Sequence, residues 1–167
     1  MPRPSNLLRN ALPAGPLDRI DFALLDRLQN EARTSNKELA ASVGLAPSTC
    51  FERVRRLERS VVRGYRAELD PVAVGLHLQA MISVRLRHHA HRASESFEAH
   101  LFSLPEVVTF FSIGGEIDFL VHVAVPDVAS LQELGRRAFT DREEVDRITT
   151  SLVFEHRRSG YPLPRPG

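Results

Sequence analysis

The sequence predicts an α+β fold: a short three-helix unit arranged as a helix-turn-helix, followed by a ferredoxin-like βαββαβ domain. Three observations carry that expectation. Up to Arg63 the apolar residues recur at helical spacing, interrupted by a capping signal and a glycine turn. From Leu78 onward the pattern switches between alternation and the helical period in the order strand, helix, strand, strand, helix, strand. Charge divides in the same place: Met1 to Gly64 holds 11 Lys+Arg against 7 Asp+Glu, whereas Tyr65 onward holds 11 against 14. A basic first part joined to an acidic second part suits a chain of which one portion meets a polyanion. The expected boundaries are a disordered tail at 1–16, the helix-turn-helix at 17–63, a linker strand and hinge at 64–76, the ferredoxin-like domain at 77–158 and a tail at 159–167.

The first helix opens at Asp18, a side chain suited to an N-cap, with Leu17 and Phe22 spaced as a hydrophobic staple. Ile20, Leu24 and Leu28 form its apolar stripe, widened by Leu25. Ser35-Asn36-Lys37-Glu38 has the S-x-x-E form of a capping box and starts a second helix carrying Leu39, Ala40 and Val43. Gly44 is placed to end it in a left-handed turn. Pro47 suits the first position of a third helix running through Arg59, with Cys50, Val54 and Leu57 inward.

With those three residues inward, a wheel of about 100° per residue puts Ser48, Thr49, Glu52, Arg55, Arg56 and Arg59 outward and Arg53 at the flank. Two short helices joined by Gly44-Leu45-Ala46, the second of them basic, are the pattern of a helix that enters the major groove of double-stranded DNA. Small hydroxyl residues at its start would reach base edges, and the arginines would read guanine or hold phosphates. The plainer alternative is a solvated face on which Glu52 and Arg56 form an i,i+4 ion pair.

Val61 to Leu69 reads as an extended connection and Asp70 to Gly75 as a hinge. Strands are expected at Leu78–Arg87, Val107–Ile113, Ile117–Val125 and Val145–Glu155. Helices are expected at Arg92–Leu104, burying Phe97, Leu101 and Leu104, and at Val128–Phe139, burying Val128, Leu131, Leu134 and Ala138. The two helices would cover one face of the sheet. Its other face, expected to carry Phe110, His122 and Val153, would need a second subunit as cover.

Composition narrows the class. Hydrophobic residues make up 43% and charged residues 26%, the balance of a globular chain, and the net charge is +1. No apolar run reaches the roughly 18 residues of a membrane span, and Met1 to Pro16 lacks a signal-peptide core, so a cytoplasmic protein is expected. One cysteine, Cys50, excludes a disulfide framework or a multi-thiolate metal site within one chain, and no metal or cofactor is expected. No P-loop, dinucleotide fingerprint or Ser-His-Asp spacing is present, so no enzyme activity is expected.

The motifs Leu17-Asp18-x-x-Asp21, Asn36-x-Glu38-Leu39-Ala40-x-x-Val43-Gly44-Leu45 and Arg53-Val54-x-Arg56-Leu57-Glu58 resemble the DNA-binding half of Lrp/AsnC (feast/famine) regulators. Gly64-Tyr65, Leu69-Asp70-Pro71, Gly115-Glu116-Ile117-Asp118-Phe119-Leu120 and Thr150-Ser151-Leu152-Val153 match landmarks of the other half, so the resemblance covers about Leu17 to Arg158. It implies a winged helix-turn-helix joined to a domain that senses an amino acid or related metabolite. It also implies homodimers that assemble into tetramers, octamers or larger discs. Two departures stand out against the family pattern. Ala46 replaces a common serine, removing a cap worth about 1 kcal/mol. The helix end Leu57-Glu58-Arg59-Ser60-Val61-Val62 lacks the usual glycine. A left-handed cap residue there would have to be non-glycine, at a cost on the order of 1 kcal/mol, so an altered helix exit or a shortened wing is expected.

An amino-acid effector needs clustered N–H donors for its carboxylate and an acceptor for its ammonium. Gly114 and Gly115 can turn the backbone into a small nest, Asp118 can accept from the ammonium, and Ser112 offers a hydroxyl. The same residues also suit a plain hairpin turn capped by Asp118. Two other functions fit the architecture that the resemblance implies: a sirohaem-decarboxylase-like enzyme using histidines such as His88, His89, His91, His100 or His122, and an architectural DNA-binding protein without a ligand. His88-His89-x-His91 reads either as a metal site or as a solvated loop.

Overall fold

The computed structural model describes residues 15–87, 91–157 and 159–164, without the side chains of residues 91–93. Most of the first expected tail, together with His88 and His89, lies outside the described residues. The chain forms two compact units: Glu68–His156 makes one, and the segments that end at Ala67 and begin at Arg157 together make the other.

The helical unit contains α1 (Arg19–Asn30), α2 (Asn36–Ser42) and α3 (Pro47–Ser60). At the start of α1 the Asp21 amide donates to Asp18 Oδ1 at 2.9 Å and the Asp18 amide to Asp21 Oδ2 at 3.1 Å, a reciprocal capping box. Ser35 and Glu38 cap α2 in the same way. Gly44, at φ 68°, closes α2: the Leu45 amide donates to Ala40 O at 2.9 Å and the Gly44 amide to Ala41 O at 3.4 Å. Leu24, Leu25, Leu28, Leu39, Ala40, Cys50 and Leu57 form the shared core. Half-buried Leu163 packs against that core from the far end of the chain, and Gln29 Nε2 donates to the Tyr161 carbonyl at 3.2 Å.

The exit of α3 is altered, without a strained left-handed cap. Val61 stays right-handed, its amide and that of Val62 both donate to Leu57 O at 2.7 and 2.9 Å, and no described non-glycine residue has a positive φ. Widening the last turn releases the chain without a left-handed residue, so the cost of a non-glycine cap is avoided. Val62 to Asp70 then runs without helix or strand, and it pairs with no strand among the described residues. At the hinge, Asp70 Oδ1 accepts from the Val72 amide, and a single 3-10 turn over Val72–Val74 ends at Gly75, φ 84°.

The second unit contains β1 (Leu78–Leu86), α4 (His91–Ser103), β2 (Val107–Ser112), β3 (Phe119–Val125), α5 (Val128–Gly135) and β4 (Val145–Val153). The sheet is antiparallel with strand order β2-β3-β1-β4, the βαββαβ arrangement expected. Ala80, Ile82, Val84 and Leu86 of β1 and Phe119, Val121, Val123 and Val125 of β3 face the core beneath α4 and α5.

Two expected placements are corrected. Phe110 lies on the helix-covered face, edge-on to Phe102 with ring centroids 4.9 Å apart, and packs against the core. A bulge between Val107 and Thr109 shifts the register, so Phe110 opposes Val121 and Thr109 opposes His122. One inserted residue exchanges the two faces of a strand. Val128 is 57% exposed because it directly follows the N-cap Asp127, whose Oδ1 accepts from the Ser130 amide. α5 passes into a wide five-residue turn, Arg136–Thr140, and the phase change buries Ala138 and Phe139 side by side.

Candidate nucleic-acid interface and sensing hairpin

Along α3 the residues Ser48, Thr49, Glu52, Arg55 and Arg59 are exposed. With Cys50 and Leu57 fully buried, Ser48, Glu52, Arg55 and Arg59 share the face turned away from the core. The first turn has no side-chain cap at Ala46, as its methyl group dictates.

Arg53 and Arg56 are placed differently from the rest. Arg53 Nη1 donates to Asp18 Oδ2 at 2.7 Å and to Asp21 Oδ1 at 3.0 Å, while Arg56 Nη2 donates to Asp21 Oδ2 at 2.5 Å. The Asp21 side chain is 1% exposed, against 27% for Arg53 and 42% for Arg56. Arg56 thus pairs with Asp21, where the sequence suggested Glu52. The Asp21 amide, and then the Arg53 guanidinium, hold the Asp18 carboxyl below its ordinary range. The capping box of α1 is therefore also the clamp that sets α3 against α1. Sequence reasoning saw Asp18 only as a cap and assigned Asp21 no contact with α3. The two arginines three apart on α3, facing two aspartates three apart on α1, were the available signal.

At the exit of α3, Tyr65 Oη donates to Glu58 Oε1 at 2.9 Å. Partial burial, followed by the Glu58 carboxylate, pushes the Tyr65 hydroxyl up to about 12.

In the sheet unit, Ser112, Gly114, Gly115 and Asp118 lie in the single hairpin between β2 and β3. The Ile113 amide donates to Asp118 O and the Asp118 amide to Val84 O, each at 2.9 Å. Asp118 Oδ2 accepts from the Leu86 amide at 2.8 Å, tying the hairpin to the end of β1. Gly115 takes φ +136°, a region that L side chains rarely adopt, whereas Gly114 does not. Beside the hairpin, on the sheet face away from the helices, a depression of about 160 Å³ is lined by Ser83, Arg85, Glu116, Ile117, Arg147 and Thr149. It brings two guanidinium groups and one carboxylate to a hollow of small-molecule size, a combination not anticipated from the hairpin motif alone. A larger cleft of about 620 Å³ lies in the helical unit between α1 and the segment Gly160–Pro164, but its lining contains no cation to meet a carboxylate.

Two histidines of the sheet unit make hydrogen bonds within the fold. His100 Nε2 donates to Ala138 O at 2.9 Å, and His122 Nε2 donates to Gln79 Oε1 at 2.8 Å while standing edge-on to the His156 ring. Among the described residues, no group of three or more His, Cys, Asp or Glu is placed to hold a metal ion, and no helix is long and apolar enough to cross a membrane.

Two family models match the chain: an AsnC-type helix-turn-helix domain over residues 17–58 and an Lrp/AsnC ligand binding domain over residues 79–163. The chain is 44% identical over 151 residues to the HTH-type transcriptional regulator AldR of Mycolicibacterium smegmatis, covering 90% of this chain and 88% of that protein. It is 38% identical over 144 residues to the leucine-responsive regulatory protein of Salmonella typhimurium, covering 86% and 88%. A crystal structure of a Neisseria meningitidis transcriptional regulator in complex with L-Met aligns with a TM-score of 0.81 at 34% identity, covering 89% of this chain and 97% of that one.

Proposed function

Because the chain belongs to the Lrp/AsnC family of transcriptional regulators, we propose that the exposed face of α3 reads double-stranded DNA and that the β2–β3 hairpin senses an amino acid or related metabolite. Family membership by itself makes the chain a transcriptional regulator with a DNA-binding helix-turn-helix and a ligand-binding domain. The relatives it matches at 44% and 38% identity are named as regulators, which favours that reading over the decarboxylase alternative.

The exposed row Ser48, Glu52, Arg55 and Arg59, backed by a clamped opposite side, is the observation that carries the DNA reading. Ser48 and Thr49 meet base edges at the start of α3, Glu52 accepts from a base amino group, and Arg55 and Arg59 take guanine or phosphate. Arg53 and Arg56 keep the helix in position through Asp18 and Asp21.

For the effector, an α-carboxylate lies between Arg85 and Arg147 and the ammonium faces Glu116. Ser112, Gly114, Gly115 and Asp118 shape the rim. The bound L-Met of the similar Neisseria regulator supports this ligand class. The open sheet face, with exposed Phe111, is covered by a second copy, and such dimers join into tetramers, octamers or larger rings that bring several α3 helices to one duplex.

Fluorescence anisotropy with the duplex upstream of its own gene tests the DNA half. Binding falls steeply with salt, and Arg55→Ala weakens it; indifference to both sinks the reading. Titration of the twenty amino acids by thermal shift tests the sensing half. At least one raises the midpoint in the native chain and fails to do so in Gly115→Asp and Arg147→Ala.

A further inference from the structure

Phe51 is 53% exposed on α3, and it is the one large apolar side chain of that helix left in solvent. It belongs neither to the buried cluster of the helical unit nor to the half-buried residues packed against it. Its neighbours on the helix surface are Ser48, three residues before, and Arg55, four residues after, both exposed. A phenyl ring so placed adds nothing to the core, and it costs solubility on the most basic helix of the chain. Its position in the first half of α3 puts it where a major-groove helix approaches base edges.

A phenyl ring neither donates nor accepts a conventional hydrogen bond, so it does not recognise the polar edges of guanine, cytosine or adenine. The one apolar group on a base edge in the major groove is the C5 methyl of thymine. We propose that Phe51 is a specificity-determining residue that contacts a thymine methyl, four residues, or about 6 Å, along α3 from the base or phosphate taken by Arg55. Each half-site then carries an A·T pair whose thymine faces Phe51, beside the position that Arg55 contacts. This inference rests on the DNA reading proposed above for α3 and adds a base identity to it.

The test removes the methyl group and the ring separately. Preferred duplexes are selected from a random library with the full chain and, independently, with Phe51→Ala. Thymine in the preferred duplex is then replaced by uracil, one position at a time, and affinity is read by anisotropy. At one position per half-site the native chain binds the uracil duplex about fourfold more weakly, the effect of exposing one buried methyl group. Phe51→Ala binds the thymine and uracil duplexes alike and selects no A·T preference there. Phe51→Leu, which keeps an apolar contact on the same helix, retains discrimination at that position and guards against a folding defect in the alanine variant.

A native chain that selects a sequence but shows no uracil effect overturns the role of Phe51 and leaves the DNA reading intact. That role is equally overturned if Phe51→Ala keeps the native uracil effect at every position. A native chain that selects no sequence and is indifferent to Arg55→Ala overturns both.

Discussion

Arg56 Nη2 donates to Asp21 Oδ2 at 2.5 Å from a guanidinium still 42% exposed, while the aspartate itself is sealed in the interface of α1 and α3. The asymmetry matters. The carboxylate has no route to water and depends on its two arginines and the Asp18 amide, whereas either arginine can turn outward. Asp21→Asn is expected to destabilise the helical unit by about 1–3 kcal/mol, below the usual cost of breaking a buried pair because the stranded cations reach solvent. Hydrogen exchange of α1 and α3 amides checks it, and unchanged protection would refute it. Freed of its carboxylate partner, Arg56 should also raise non-specific DNA affinity and steepen its dependence on salt.

Ala46 offers a stabilising change. Its backbone is already extended, at φ −66° and ψ 143°, the conformation of an N-cap residue, but no side chain satisfies the first amides of α3. Ala46→Ser should stabilise the unit by about 1 kcal/mol, seen as a higher thermal midpoint with DNA affinity unchanged or improved. A midpoint no higher than that of the native chain would show that those amides are satisfied in another way.

His122 introduces a pH dependence into the sheet unit. Burial, and then the neighbouring His156, lower its affinity for a proton from the ordinary value of 6.5. The unfolded chain therefore protonates first as the pH falls. The stability contributed by the neutral ring is complete above 6.5 and is lost as the pH drops through 6.5 towards the depressed folded value. Urea unfolding of the sheet unit between about pH 7 and about pH 5 should show this loss, and His122→Gln should flatten it. Equal slopes in the two proteins would remove His122 as the cause.

Leu163 is half-buried against the helical core, so Leu163→Ala should cost that unit about 1 kcal/mol, roughly half the value of a fully buried leucine. A chain stopped after Ser159 should lose at least as much and should expose α1 to proteolysis near Gln29, whose side chain then lacks the Tyr161 carbonyl. Protection of α1 equal to that of the full chain would show that the segment is dispensable.

Much of this was legible in the sequence because local chemistry governs it. The two capping boxes, Gly44 and Pro47 mark helix ends through interactions within a few residues, and the βαββαβ order follows from periodicity. What escaped depends on distant partners. The inward turn of Arg53 and Arg56 requires two aspartates some thirty positions earlier in the chain. The bulge at Val108 leaves no trace in the alternation of β2, yet it decides which face Phe110 occupies. The depression beside Glu116 draws its arginines from β1 and β4, strands that meet only in the folded sheet. The exit of α3 shows the limit of a motif: without the family's glycine the helix widens its last turn and does not adopt a strained left-handed residue.

The packing of Leu163 on the helical core has a consequence during synthesis. The helices leave the ribosome long before residue 163 is made, with the whole sheet unit translated in between. At bacterial elongation rates that interval is on the order of ten seconds, ample for three short helices to find one another. The nascent helical unit therefore spends that time without the contact of Leu163, softer by about 1 kcal/mol. The helical unit reaches its mature rigidity only after the sheet unit has been made.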